Sequence, residues 1–146
     1  MNKIDKRYII TELKTKISEQ SYSPVWTDKE ACRLLYLDSE VIPGAFQMSC
    51  SWFWPGDWPP LKPGDDTRMK PHTHEFDEIL GFVGTNLNDI NDLCGEVELW
   101  IDGKRNVCDK SFMAFIPTGV IHCPLNILKA TRPIFHFGAC KTNMYH

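Results

Sequence analysis

Two kinds of hydrophobic pattern run along this chain, and they divide it unevenly. Near the N-terminus, Ile4, Ile9, Ile10, Leu13 and Ile17 recur at helical period among charged residues. That spacing predicts one amphipathic helix over residues 4–19, its apolar stripe packed on the body or on a partner subunit. SYSPVW then reads as a connector. Thr27 and Glu30 have capping-box spacing, while RLLYL just behind them reads equally well as a short strand. From residue 45 to 54 the period changes to two: Phe46, Met48, Cys50, Trp52 and Trp54 alternate with Ala45, Gln47, Ser49, Ser51 and Phe53. A strand with one apolar face follows, and the barrel core is the ordinary place for Trp52 and Trp54.

Residues 55–71, PGDWPPLKPGDDTRMKP, hold five prolines and two glycines. Proline cannot donate to a ladder, so this is a long loop and not a central strand, and loops of that length usually form functional rims. Beyond it come ILGFVG, the polar loop TNLNDINDLCG, and EVELWIDGKRNV with Asp102-Gly103 as a type I′ hairpin signal. SFMAFIP, VIHCPLNIL and PIFHFGAC complete a series of short strands. No long helical pattern interrupts residues 34–140, which favours an antiparallel sandwich or barrel over an alternating α/β fold. The chain divides into a helix and connector over 1–33 and one β domain over 34–146.

Composition narrows the function classes. A length of 146 residues suits one domain with a full core, and 42% hydrophobic and 24% charged residues exclude disorder. The net charge of −3 comes from interspersed acids and bases, so nothing advertises nucleic acid or anionic lipid, and a small-molecule ligand is the default. No segment approaches the ~20 apolar residues of a membrane span, and no secretory run opens the chain. Six cysteines without CxxC spacing read as reduced thiols of a cytoplasmic protein.

The stretch PHTHEFDE, residues 71–78, changes the picture. If it forms a strand, His72, His74 and Glu78 share one face with neighbours about 7 Å apart, whereas Glu75 and Asp77 point away. Two imidazoles and a carboxylate suit a divalent transition metal better than calcium. Taken alone, the segment reads equally as a wet loop end rich in histidine and acid. PTGVIHCPLN, residues 117–126, supplies a Pro-x-Gly turn, His122 and Asn126. The two segments together resemble the cupin superfamily, whose motifs are G-x5-H-x-H-x3,4-E-x6-G and G-x5-P-x-G-x2-H-x3-N. Both cores are filled here, but Asp66 and Ser111 stand where glycines are expected and Gly84 falls one residue early. Those departures concern turns and leave the ligand positions intact.

The resemblance implies an antiparallel β-barrel of jelly-roll type with His72, His74, Glu78 and His122 around one divalent ion: iron, manganese, nickel, zinc or cobalt. It implies a metal-dependent enzyme acting on a small organic substrate, aromatic or carbonyl-bearing, as a dioxygenase or as a redox-neutral lyase, isomerase or hydrolase. The alternative is a metabolite-binding or sensor cupin whose metal is structural. A homodimer is common among cupins and is expected here.

Other residues carry two readings each. His136 is either a base beside the site or a core histidine satisfied by backbone, the commoner case. Glu98 is either a general base in the cavity or part of a solvated face with Glu96. Trp58, on the proline-rich loop, and Trp52 and Trp54 before it could wall a substrate pocket. Arg68 could bind a substrate anion or be a solvated loop charge. Asn126 is expected to hold its strand end. Cys123, with parity opposite to His122, is expected to point away from the metal.

Overall fold

A computed structural model describes residues 3–13, 29–56, 58 and 70–143. Eight strands follow one another: β1 (Ala31–Leu37), β2 (Gln47–Phe53), β3 (Glu78–Val83), β4 (Asp92–Ile101), β5 (Lys104–Lys110), β6 (Phe112–Ile116), β7 (His122–Ala130) and β8 (Ile134–Cys140). They form a five-stranded sheet in the order β1-β2-β8-β3-β6 and a three-stranded sheet in the order β5-β4-β7. All pairings are antiparallel. RLLYL is therefore strand, and β1 runs across the division placed at residue 33.

The hairpin signal is used as its chemistry requires. Asp102 and Gly103 both take positive φ, 51° and 74°, and turn β4 directly into β5. Between the sheets lies one apolar core. Phe53, Leu80, Phe82, Ile116 and Ile134 from the larger sheet meet Leu93, Val97, Leu99, Leu125 and Ile127 from the smaller. An expectation about faces reverses at β2. Gln47, Ser51 and Phe53 are the buried residues, while Phe46 and Met48 are 66% and 44% exposed. The more apolar face of β2 thus points out of the sandwich, and the partly polar face lines its interior.

Two further expectations are corrected. The sheets formed by the described residues do not close into a continuous barrel. Among the described residues, β7 is met along its open edge only by the isolated bridges Gly56–Ala130 and His72–His122. These bridges involve Gly56 and His72, which lie at the two ends of the proline-rich stretch. The predicted N-terminal helix is also not seen. Residues 3–13 make one turn, with Tyr8 and Ile9 N–H donating to the Asp5 carbonyl, and residues 14–19 lie outside the described ones. Ile4, Tyr8 and Ile9 are 52%, 71% and 50% exposed. An apolar stripe with no surface to cover cannot offset the cost of nucleating a helix.

Candidate metal centre

Residues 71–77 do not form the strand that the parity reading assumed; β3 begins only at Glu78, after a bend at Glu75 and Phe76. The bend nevertheless gathers the residues. His72 and His122 exchange backbone hydrogen bonds of 3.0 Å each, which sets their side chains next to one another. Their ring centroids are 4.4 Å apart, and His74 stands 4.7 Å from His72 and 5.2 Å from His122. Glu78 opens β3 on the same inward face as Leu80 and Phe82. Its Oε2 lies 3.5 Å from His74 Nε2 and 3.4 Å from His122 Nε2.

Asp77 ties the two segments together. Its Oδ1 accepts from Thr118 N–H at 2.9 Å and from Thr118 Oγ1 at 3.0 Å, and these two bonds hold its carboxyl below the usual range. Gly119 N–H donates to the His74 carbonyl at 3.0 Å. The Pro-x-Gly turn is thereby fastened to the first histidine segment at His74 and at Asp77. Two of the glycine departures also meet: Gly84 N–H donates to Ser111 Oγ at 3.0 Å, and Ser111 Oγ donates to the Ile90 carbonyl at 3.1 Å. Asp66 lies outside the described residues.

The donor set fits a metal ion. His72 Nδ1 lies 2.7 Å from the Lys70 carbonyl and His122 Nδ1 lies 3.0 Å from the Val120 carbonyl. A carbonyl only accepts, so each Nδ1 donates its N–H there and Nε2 is the nitrogen left to meet a cation. His122 Nε2 and Glu78 Oε2 are buried and have no hydrogen-bond partner. Two acceptors 3.4 Å apart in a dry place call for a positive charge between them. Burial works to lower the His122 pKa, but the Glu78 carboxylate and the Val120 carbonyl outweigh it and raise it. His74, Glu78 and His122 each offer a ligand atom within 4.8 Å of the others. A set of three imidazoles and one carboxylate suits a divalent metal ion.

Cys123 is a correction. A ligand atom from each of His72, His122 and Cys123 also lies within 4.8 Å of the others. Between Leu99 and Ile101 on β4 the register shifts, so His122 to Leu125 spans one residue more than its partner, and Cys123 takes φ 79°. Such a bulge cancels strict alternation, and Cys123 turns inward with His122. Burial, with a contribution from the Glu78 charge, pushes its thiol up to about 12.

The remaining sequence-predicted residues are dispersed. His136 faces the interior from β8, paired with Phe82 on β3, and stacks on that ring at 4.1 Å. Its Nδ1 lies 2.8 Å from the Gly81 carbonyl. Burial pulls its pKa down to about 4, with Arg33 adding to the effect against Gly81 and Glu78. Glu98 pairs with Asn126 on the face opposite to Leu99 and Leu125, away from the histidines. It accepts from Asn126 Nδ2 at 2.9 Å and Arg105 Nε at 2.6 Å; burial works to raise its pKa, and these partners lower it overall. Trp52 stacks on Trp54 at 6.1 Å on the outer side of the larger sheet and meets Phe135 edge-on at 5.2 Å. Neither tryptophan is brought to the centre. Trp58 packs on Phe53 at 6.0 Å, with its indole N–H buried and without an acceptor. Arg68 lies outside the described residues. Arg33, which sequence reasoning missed, carries a buried guanidinium close enough to His136 to depress it. Strand β1 gave no signal for it, because one arginine among RLLYL reads as a solvated edge charge.

No protein-family model matches the sequence, and no curated protein matches it. Solved structures do. An oxalate oxidase in complex with the substrate analogue glycolate superposes with a TM-score of 0.54 at 18% identity, over 97% of this chain. A further oxalate oxidase structure gives 0.53 at the same identity. The chain spans 63% of the length of these proteins. An RmlC-like cupin from Shewanella frigidimarina matches at 13% identity and a TM-score of 0.43, over 90% of this chain and 96% of that one. Among the described residues no helix is long and apolar enough to cross a membrane. The chain shares the two-sheet antiparallel fold of oxalate oxidase, and both histidine motif cores resembling those of cupins lie together within that fold.

Proposed function

We propose that this protein is a mononuclear metal enzyme acting on a small oxygen-bearing organic molecule, with His72, His74, Glu78 and His122 as the ligands. The carrying observation is the buried pair of acceptors, His122 Nε2 and Glu78 Oε2, facing each other at 3.4 Å without hydrogen-bond partners. A divalent transition metal held there would polarise a bound oxygen or, if it is iron, activate dioxygen, so a dioxygenase and a redox-neutral lyase, isomerase or hydrolase are the two chemistries in play. The chain's own residues supply the rest. Trp58 offers its indole N–H to a substrate oxygen. Arg33 places positive charge inside the sandwich, which favours an anionic substrate. His136, neutral near pH 7 with Nδ1 tied to Gly81, has Nε2 left to take a proton. Glu98, engaged by Arg105 and Asn126, holds β4 to β5 and β7. The oxalate oxidase likeness makes small carboxylates and hydroxy acids the first substrates to try.

Metal analysis of protein purified without added metal, followed by reconstitution, tests the centre. Near-stoichiometric metal is expected, and His122→Ala should reduce it to trace while circular dichroism stays native. A native chain that takes up no metal after reconstitution sinks the proposal. Collapse of the His122→Ala fold would instead favour a structural metal.

The outer face of the larger sheet supports a homodimer as part of this reading. Met48, Ala139, Ile79 and Phe115 form one row across four strands, and Cys50, Phe137, Gly81 and Met113 form the next. Neither row carries a charge. A groove of about 450 Å³ opens at the end of this face, where Phe46, Ile79 and Phe115 are joined by the charged Asp77 and Lys141. An uncharged, row-ordered face is suited to a second copy of itself about a two-fold axis.

A further inference from the structure

We infer that the sulfur of Cys123 is a donor to the metal of this centre, so that the site selects a thiophilic divalent cation such as zinc or cobalt(II) over magnesium, calcium or manganese. The inference rests on the metal-site reading above and adds a ligand that the cupin motifs do not contain.

Geometry comes first. Ligand atoms of His72, His122 and Cys123 lie within 4.8 Å of one another, as do those of His74, Glu78 and His122. His122 is common to both groups, which puts a ligand atom of Glu78 and one of Cys123 each within 4.8 Å of it. A sulfur and a nitrogen ligand of one zinc ion stand about 3.5 Å apart, which lies inside that 4.8 Å limit. The second observation is independent of the cysteine. His122 is 3% exposed, and its Nε2 is buried without a hydrogen-bond partner. That nitrogen faces Glu78 Oε2 at 3.4 Å with no hydrogen bond between them, an arrangement suited to a cation.

Local backbone explains why the cysteine is there. The extra residue in β7 and the positive φ at Cys123 turn two consecutive side chains, His122 and Cys123, to the interior. In a regular strand only one of them would face the ion. Cys123 is 6% exposed and not in a disulfide. No other cysteine among the described residues joins a metal-competent group.

Chemically the step is simple. The thiol S–H bond is lost, its proton passes to solvent, and the thiolate electron pair forms the sulfur–metal bond; nothing is oxidised or reduced. Thiolate favours soft and borderline cations, whereas carboxylate and water suffice for hard ones.

Cobalt(II) is the probe. The metal-free native chain is titrated with one equivalent of cobalt(II) and its absorption recorded, with the same measurement on Cys123→Ser and Cys123→Ala. Visible ligand-field bands accompanied by a near-ultraviolet sulfur-to-cobalt charge-transfer band are expected for the native chain. Both variants should lose the charge-transfer band and keep the ligand-field bands, and zinc affinity should fall at least about tenfold while manganese affinity holds. Ligand-field bands without charge transfer in the native chain overturn the inference and leave the metal centre standing. A charge-transfer band that survives in both variants also overturns it, since the sulfur is then another cysteine. Absence of any cobalt uptake overturns the inference and the metal centre together. The native-chain spectrum decides even if one variant fails to fold.

Discussion

The two faces of the five-stranded sheet differ in chemistry: the inner one sets polar groups among core residues, and the outer one is almost wholly apolar. Inward, Glu78, Gln47, Ser51 and His136 stand among Leu80, Phe82 and Phe53. Outward, Met48, Cys50, Trp52, Phe135, Phe137, Ile79, Met113 and Phe115 form an almost unbroken apolar surface. In an ordinary sandwich the polar face meets water. Here the inner face sets polar groups among the core residues, as the proposed metal centre requires, and the outer face is apolar, as the proposed dimer requires. Hydrophobicity along a strand marks contact, and contact includes other molecules as well as the core.

The largest expected effect sets the faces against each other. His122→Ala on the inner side abolishes metal binding, whereas Phe115→Lys on the outer side leaves metal content unchanged and converts a dimer to monomers in light scattering. A native chain that is already monomeric at micromolar concentration would remove the outer half of the contrast. Next in size is acid sensitivity from the interior. His136 has a folded pKa of about 4 against an ordinary 6.5. Between those values the unfolded chain binds a proton that the folded chain refuses, so stability falls as pH drops from about 6.5 towards 4. The linked loss is on the order of 3 kcal/mol. Denaturant melts of His136→Phe across that range should therefore show a flatter pH profile than the native protein, and parallel profiles would show that the buried imidazole is not the source. Smallest is the clamp outside both faces. Asp77→Ala removes both bonds to Thr118, and metal affinity should fall about tenfold with little change in fold.

Much of the site was legible because it depends on chemistry-bearing residues at fixed spacing. His72, His74, Glu78 and His122 declared themselves through donor type and motif, although the strand assumed for residues 72–77 is a bend. The Asp102-Gly103 hairpin was legible because only a few residues accept positive φ twice in succession. Faces were less so. Period two says that the side chains of β2 alternate but not which set turns inward, and the assumption that the apolar set does so put Trp52 and Trp54 on the wrong side. Cys123 was hidden for a different reason. A bulge depends on the register of the partner strand, which spacing within β7 cannot reveal. Arg33 was hidden because a charge gives no sign of burial until its neighbours are known. The N-terminal stripe shows the converse limit: residues 3–13 have the periodicity of a helix without a surface that would reward one.

The serine at position 111 alters what a glycine signature means in this chain. Where the cupin pattern has a glycine, Ser111 receives the Gly84 N–H and passes a hydrogen bond on to Ile90. Gly84 in turn has no room for a side chain, since a Cβ there would meet the Asp92 carbonyl oxygen at 2.0 Å. The displaced glycine and the serine thus form one unit that anchors the loop from β3 to β4. Restoring the consensus glycine at 111 alone would unfasten that loop, so the two positions constrain each other as a pair, and a pattern that scores them one at a time undervalues the match.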